Sequence, residues 1–273
     1  MANENSEGFS FVTPSMSLRP LILGHRGASA VAPENTLAAF SRAMSDGADG
    51  IEFDVRLARD RIPVVIHDAT LKRTGLIQRV VSELTAKELQ KIDVGSWFAD
   101  RTRSPQSSFI AEKLPLLEQV CELFRDSDGF LYIEMKCDKD DGPVLAEAVV
   151  RLARDSGLAE RVVVESFDLS AIAAVKKEDP TIRTAALFEP KFSRPISSVR
   201  RLRMIDTACD LGADEIALHH SLASARVVEK ARQAGLEIVV WTVADPAWIE
   251  IARSLGIKAL ITNDPASLVR YRR

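Results

Sequence analysis

Cysteine is scarce in this 273-residue chain: Cys121, Cys137 and Cys209 are the only three. An odd count at unrelated spacings excludes both a disulfide framework and a zinc knuckle, so buried thiols in a reducing compartment are expected. A basic excess is also missing. The 36 Lys and Arg stand against 39 Asp and Glu, and a net charge of −3 leaves no electrostatic footprint for nucleic acid. The run "RRLR" at 200–203 reads as a solvated helix face. No apolar run approaches the roughly 18 residues of a membrane span. The first 17 residues lack the basic start and apolar core of a secretory signal. These absences predict a disordered tail over 1–18, no stable membrane insertion, no nucleic-acid partner and a cytoplasmic location; a homodimer is left open.

What is present is a large apolar fraction, 46% of the residues, enough for the core of one barrel-sized domain or two ordinary ones. Apolar runs of strand length start near residues 20, 49, 130, 161, 182, 214, 236 and 257. Most are followed by an amphipathic stretch. Leu37, Phe40 and Met44 recur at helical spacing, opened by Asn35 or Thr36 as cap and closed at Gly47. Strand and helix alternating eight times predict an α/β fold of the parallel (β/α)8 TIM-barrel type, as a single domain over 19–273. A doubly wound open sheet would want GxGxxG after its first strand, and "GHRGAS" is not that.

Two stretches break the alternation. "RLARDRIPVVIHD" returns to an apolar run too quickly for a parallel crossover, which predicts an antiparallel hairpin standing on the second strand. Residues 69–113 then form an insertion expected to lie over one end of the barrel as a lid or small subdomain. Within it Thr85 and Glu88 read as a capping box.

Alternation places Ile51, Phe53, Val55 and Leu57 on the outer face of the second strand, leaving Glu52 and Asp54 pointing into the barrel. The same rule applied to "FLYIEMK" puts Tyr132, Glu134 and Lys136 inside. Three close carboxylates repel one another and are costly to bury without a cation. An all-oxygen donor set suits Mg²⁺ or Ca²⁺, so Glu52, Asp54 and Glu134 are candidate metal ligands. Read alone, "IEFDV" also fits an antiparallel strand whose acids face water.

The hairpin tilts that choice. With its turn centred on residues 58–61, Val65 falls opposite Asp54 and His67 opposite Glu52. His25 ends the first strand, so His25 and His67 meet at one mouth as candidate acid and base. Arg26 and Lys136 supply fixed positive charge for a phosphate. The glycines around His25 and Arg26 read as a tight turn with close ligand approach. Together these groups describe cleavage of a phosphate ester. His219 and His220, with no acidic motif nearby, read as structural or peripheral.

The segments "GHRGASAVAPENTLAAF", "GADGIEFDVRLARDRIPVVIHDATLKRTG", "ELTAKELQKIDVGSWF", "LPLLEQV", "LYIEMK", "VVVESF", "VVWTV" and "ALITNDP" resemble, in order, those of the glycerophosphodiester phosphodiesterases. The resemblance implies a TIM barrel with an insertion after the hairpin. It implies hydrolysis of a small-molecule glycerophosphodiester to glycerol 3-phosphate and an alcohol. Carried over residue by residue, His25 and His67 would be the acid/base pair, Glu52, Asp54 and Glu134 would bind the cation, and Arg26 and Lys136 would contact the phosphate. Trp241 would pack against the glycerol side; a plain core tryptophan is the other reading. The family's hairpin usually turns through Asp-Gly, whereas here Asp60 is followed by Arg61, which puts the assumed register in question.

Two other readings stay open at this stage. A related phosphodiesterase acting on lysophospholipids would need a greasy approach surface, for which the insertion offers Trp97, Phe98, Phe109 and Ile110. A non-catalytic phosphate- or metal-binding barrel would ordinarily have lost one of the histidines or acids, and all are present.

Overall fold

A computed structural model describes residues 19–98, 109, 111–137, 140–190 and 198–272, without the side chains of 198–202. The expected tail over 1–18, Ile110 and three side chains of the "RRLR" face lie outside the described residues; Arg203 of that face is exposed.

Every expected strand forms: β1 (Leu21–His25), β2 (Gly50–Leu57), β4 (Phe130–Met135), β5 (Val162–Ser166), β6 (Arg183–Phe188), β7 (Glu215–His219), β8 (Glu237–Trp241) and β9 (Ala259–Thr262). They pair in parallel in the order β1-β9-β8-β7-β6-β5-β4-β2, and β1 pairs again with β2, closing an eight-stranded barrel. The ninth strand, β3 (Pro63–Val65), is antiparallel to the far end of β2.

Helices return the chain between strands. α1 (Leu37–Ser45) starts where Thr36 Oγ1 accepts from the Ala39 amide at 3.2 Å, and Gly47 follows its end at φ 88°. The later return helices are α4 (Gly142–Asp155), α5 (Leu169–Glu178), α6 (Ser198–Asp210), α7 (Ala225–Gln233), α8 (Trp248–Leu255) and α9 (Pro265–Arg272). Period-2 alternation along the strands separates two apolar layers. Ile51, Phe53, Val55, Leu131, Ile133 and Met135 pack outward against helices. Leu23, Tyr132, Val163, Ala185, Ala217, Val239 and Ala259 fill the interior.

Below that inner layer the barrel is plugged by charge. Glu215, fully buried, accepts from Tyr132 Oη at 2.9 Å, from Arg183 and from Lys258 Nζ at 2.6 Å, while Glu237 pairs with the same two cations. These groups stand at or before the starts of β6 to β9, so the N-terminal end of the barrel is sealed.

The insertion holds two short helices, α2 (Ala86–Leu89) and, at its exit, α3 (Leu117–Leu123). α2 opens with the expected capping box: the Thr85 hydroxyl accepts from the Glu88 amide while Glu88 Oε2 accepts from the Thr85 amide. Leu71, Val81, Leu84, Leu89 and Val94 of the insertion, with Leu114 just after it, share a small apolar cluster with Val64 and Ile66 of the hairpin arm. The insertion is thus docked on the hairpin.

Three expectations need correction. The hairpin pairs Val55 with Val65 and Leu57 with Pro63, one residue off the assumed register. Its loop spans 58–62, with Arg61 at φ 62° and the Ala58 amide bonded to the Ile62 carbonyl. The left-handed residue after a turn is how a loop absorbs one extra residue. Second, only Cys121 is buried; Cys137 is half-buried and Cys209 exposed. Third, the glycines flanking His25 and Arg26 make the expected tight turn, the Gly27 amide bonding the Gly24 carbonyl at 3.1 Å, but the close approach they allow is that of α1. A Cβ on Gly24 would stand 2.9 Å from Ala43 Cβ, and one on Gly27, at φ 82°, 2.6 Å from the Ala39 carbonyl carbon. What approaches them closely is a helix.

Candidate active site

The C-terminal end of the barrel opens into a cavity of about 190 Å³ lined by His25, Arg26, Glu52, His67, Glu134, Lys136, Glu165, Phe167, Trp241 and neighbours. All eight sequence-predicted site residues meet here. Seven line this cavity; the eighth, Asp54, is buried beneath it, paired to Arg26 and Lys136.

β1 ends on His25, and the chain turns at once through Arg26 at φ 54°. This left-handed conformation, uncommon for a non-glycine residue, aims the Arg26 amide at Glu52 Oε2, 3.0 Å away. The Arg26 guanidinium then spans Asp54 Oδ2 at 3.2 Å and Glu34 Oε1 at 2.8 Å. Asn35, also left-handed at φ 58°, gives its amide nitrogen to Asp54 Oδ2 at 2.9 Å. The helix cap is therefore Thr36, and Asn35 braces a carboxylate.

Each histidine is held by its Nδ1. His25 Nδ1 lies 2.6 Å from Asn263 Oδ1, just beyond β9, and its Nε2 is 3.8 Å from Glu52 Oε2. His67 Nδ1 lies 2.7 Å from Asp68 Oδ1. Acceptors at both Nδ1 atoms select the Nδ1–H tautomer and leave both Nε2 atoms for chemistry in the cavity. His67 does not arrive by cross-strand pairing. β3 stops at Val65, the Ile66 amide bonds the Asp54 carbonyl, and Arg56 Nε holds the His67 carbonyl at 2.8 Å. The chain thus leaves the ladder before His67, freeing its side chain to turn to the mouth. Arg73 of the insertion binds Asp68 through Nε at 2.8 Å and Glu34 through both Nη atoms, tying the His67 support to the Arg26 support.

Oxygens of Glu52, Asp54 and Glu134 lie within 4.8 Å of one another. Lys136 Nζ sits 3.2 Å from Asp54 Oδ1 and 2.6 Å from Glu134 Oε1. Burial would raise the Asp54 pKa, but the charges of Arg26 and Lys136 hold it well below the carboxylate range. Glu134 is pushed up to about 8 by burial and by Asp54 against the pull of Lys136. Glu52 is also driven well above its ordinary value by burial, Asp54 and Glu134. The protein's own cations therefore satisfy one carboxylate and leave two under strain. A hard divalent cation with oxygen preference fits this donor set and charge deficit. His25 is lowered to about 4, by burial first and then by Arg26, and His67 is lowered chiefly by burial.

Comparison with known proteins decides what this arrangement belongs to. The sequence model described as "Glycerophosphoryl diester phosphodiesterase family" matches residues 25–267. The chain belongs to that family. It is accordingly a phosphodiester hydrolase. A glycerophosphodiester phosphodiesterase of Caldanaerobacter subterraneus subsp. tengcongensis is 32% identical over 254 residues, covering 92% of this chain and 97% of that protein. Among solved structures, an Oleispira antarctica phosphodiesterase in complex with the product sn-glycerol-3-phosphate superposes with a TM-score of 0.79 at 25% identity, covering 92% of this chain and 96% of that one. A glycerophosphodiester phosphodiesterase from Agrobacterium tumefaciens gives 0.75 at 28% identity over 92% and 99% of the two chains.

In this member of the family several functional neighbours carry no signal of their own in the sequence: Glu34, Asp68, Arg73 and Asn263 are ordinary loop residues until the fold brings them together. Glu165 is different. Alternation along "VVVESF" puts Val163, Glu165 and Phe167 on one face, as it did Glu134, so the same rule could have found it. Trp241 stands at the mouth with Phe167 at 5.5 Å and His219 at 5.4 Å, both edge-on. His219 caps its own turn through Ser221 and backs Trp241, a structural role. Trp97 and Phe98 are buried and stack edge-on at 5.8 Å, and both line a second cavity beside His25 and Glu34.

Proposed function

We propose that the chain hydrolyses a soluble glycerophosphodiester to sn-glycerol 3-phosphate and an alcohol, with His25 and His67 as the acid/base pair. The observation that carries this reading is that two histidines, each fixed at Nδ1, line one cavity together with Arg26 and Lys136. Two fixed cations in that cavity hold a phosphate and offset charge gathering on its oxygens. Glu52, Asp54 and Glu134 would hold one divalent cation, Mg²⁺ or Ca²⁺. When bound, such an ion supplies Lewis-acid polarisation and a lowered pKa for a neighbouring hydroxyl.

The residues of the chain then divide the proton work. One histidine accepts the proton of the glycerol 2-hydroxyl through Nε2 as that oxygen bonds to phosphorus. The other gives its proton to the departing alcohol oxygen as the P–O bond breaks. With roles exchanged, the pair delivers water to the resulting cyclic phosphate and returns to its starting state. Trp241 and Phe167 offer an apolar face to the glycerol carbons.

The test is release of glycerol 3-phosphate from a panel of glycerophosphodiesters with Mg²⁺, Ca²⁺, Mn²⁺ or chelator, beside His25→Ala. Cation-dependent release, reduced by about 100-fold or more in the variant, is expected. Absence of release from every diester with every cation refutes the reading. A 2-deoxy substrate should not turn over; unchanged turnover would favour direct attack by water.

A further inference from the structure

One buried acid at the site takes no part in the steps above. Glu165 on β5 is paired in register with Glu134 of β4. It lines the main cavity, is 1% exposed, and its Oε2 has no hydrogen-bond partner. It stands outside the cluster of carboxylate oxygens that Glu52, Asp54 and Glu134 form. Among the described residues it makes no ion pair, whereas Glu134 has Lys136 and Glu215 has Arg183 and Lys258. A buried polar oxygen left unpaired is costly, and a buried carboxyl group opening onto a cavity is satisfied most directly by what enters that cavity.

Its neighbours say what kind of group that is. Around it the cavity lining includes the apolar side chains of Phe167, Leu187, Trp241 and Ile261, with Glu165 the one buried carboxyl group among them; Glu189, which also lines the cavity, is exposed to water. Lys136 Nζ reaches to 5.6 Å from the Phe167 ring, but it pairs with Asp54 and Glu134 and Arg26 pairs with Asp54 and Glu34, so neither cation is paired to Glu165, and a phosphate set directly against that acid would be repelled. Apolar side chains around one buried hydrogen-bonding group are complementary to a short carbon chain bearing a hydroxyl group. We propose that Glu165 selects the glycerol moiety, its unpaired Oε2 hydrogen-bonding the terminal hydroxyl remote from the phosphate. This rests on the reaction proposed above for the identity of the ligand. The 2-hydroxyl is left to the histidines.

The proposal is tested by calorimetric binding of sn-glycerol 3-phosphate and its 1-deoxy analogue, with a saturating divalent cation. The analogue keeps the phosphate and the 2-hydroxyl and lacks only the group assigned to Glu165. The wild-type protein is expected to bind the glycerol compound about tenfold or more tightly, since the analogue leaves a buried acceptor unpaired. In Glu165→Leu the preference should collapse to near unity, and in Glu165→Gln, whose amide still bonds a hydroxyl, it should be partly retained. Equal affinity for both compounds in the wild type, binding of neither, or a preference undiminished in Glu165→Leu overturns the proposal. If Glu165→Leu does not fold, the wild-type ratio and the Gln variant decide. Turnover of a glycerophosphodiester is measured in parallel: turnover without the preference overturns this inference alone, and the preference without turnover overturns the reaction alone.

Discussion

Replacing Asp68 by Asn preserves the size of the side chain and removes its charge at the carboxylate that lies 2.7 Å from His67 Nδ1. The amide that replaces it has an NH₂ group able to donate to Nδ1, which would place the imidazole proton on Nε2, the wrong atom for a base in the cavity. A hydrogen bond to a charged group contributes about 1.5–3 kcal/mol, so kcat/KM should fall roughly 10- to 100-fold if the bond acts fully in the transition state. Arg73 remains anchored to Glu34 through both Nη atoms, so the fold around the site should survive. The pH profile carries the more incisive readout. Burial lowers the His67 pKa, while Asp54 and Asp68 raise it; removing the Asp68 charge therefore lowers it further. Whichever limb of the kcat/KM profile His67 governs must move to lower pH. Movement of the acid limb would identify His67 as the base, and movement of the alkaline limb would identify it as the acid. A variant with kcat/KM within about twofold of wild type and an unmoved profile would refute the reasoning.

Other perturbations follow from the same contacts. Divalent-cation affinity should weaken as pH falls below about 8, the value to which burial and Asp54 push Glu134, because a proton then competes for the ligand oxygen; calorimetry in buffers of different ionisation enthalpy should register proton release, and a pH-independent affinity would contradict this. Asn35→Ala removes both hydrogen bonds to Asp54, at 2.9 and 3.3 Å. It should cost about 1–3 kcal/mol, read as a lower urea midpoint at constant slope; an unchanged midpoint would mean that the brace is dispensable. Gly27→Ala drives a Cβ to 2.6 Å from the α1 backbone at φ 82° and should cost about 3 kcal/mol or more; a wild-type urea midpoint would show that α1 shifts freely.

The barrel and most of the site were legible because the rules that expose them are local. Alternation put Glu52, Asp54 and Glu134 on the faces opposite the apolar residues, the parallel-barrel reading turned those faces inward, and strand-helix spacing gave all eight barrel strands. His67 reached the right place by the wrong route: a loop of five residues replaced the assumed four, and the chain leaves the ladder at Val65. Pairing rules alone would have turned its side chain outward. Apart from Asp68, which adjoins His67, the supports escaped notice because their partners are distant in sequence. Asn263 meets His25 across 238 positions and Arg73 meets Glu34 across 39, distances over which no periodicity operates. The glycine pattern was visible, but its cause, a helix seated against the turn, needed the third dimension.

The plug of Glu215, Arg183, Lys258 and Glu237 makes the barrel a cul-de-sac, with traffic in both directions through one doorway. Whatever settles deepest is the last to leave and bars the next arrival while it stays. In the reaction proposed here, the glycerol phosphate, held by Arg26, Lys136 and Glu165, must leave through that doorway before another diester lands. Turnover in such a chamber is paced by how quickly that product lets go, so tighter hold on glycerol costs speed.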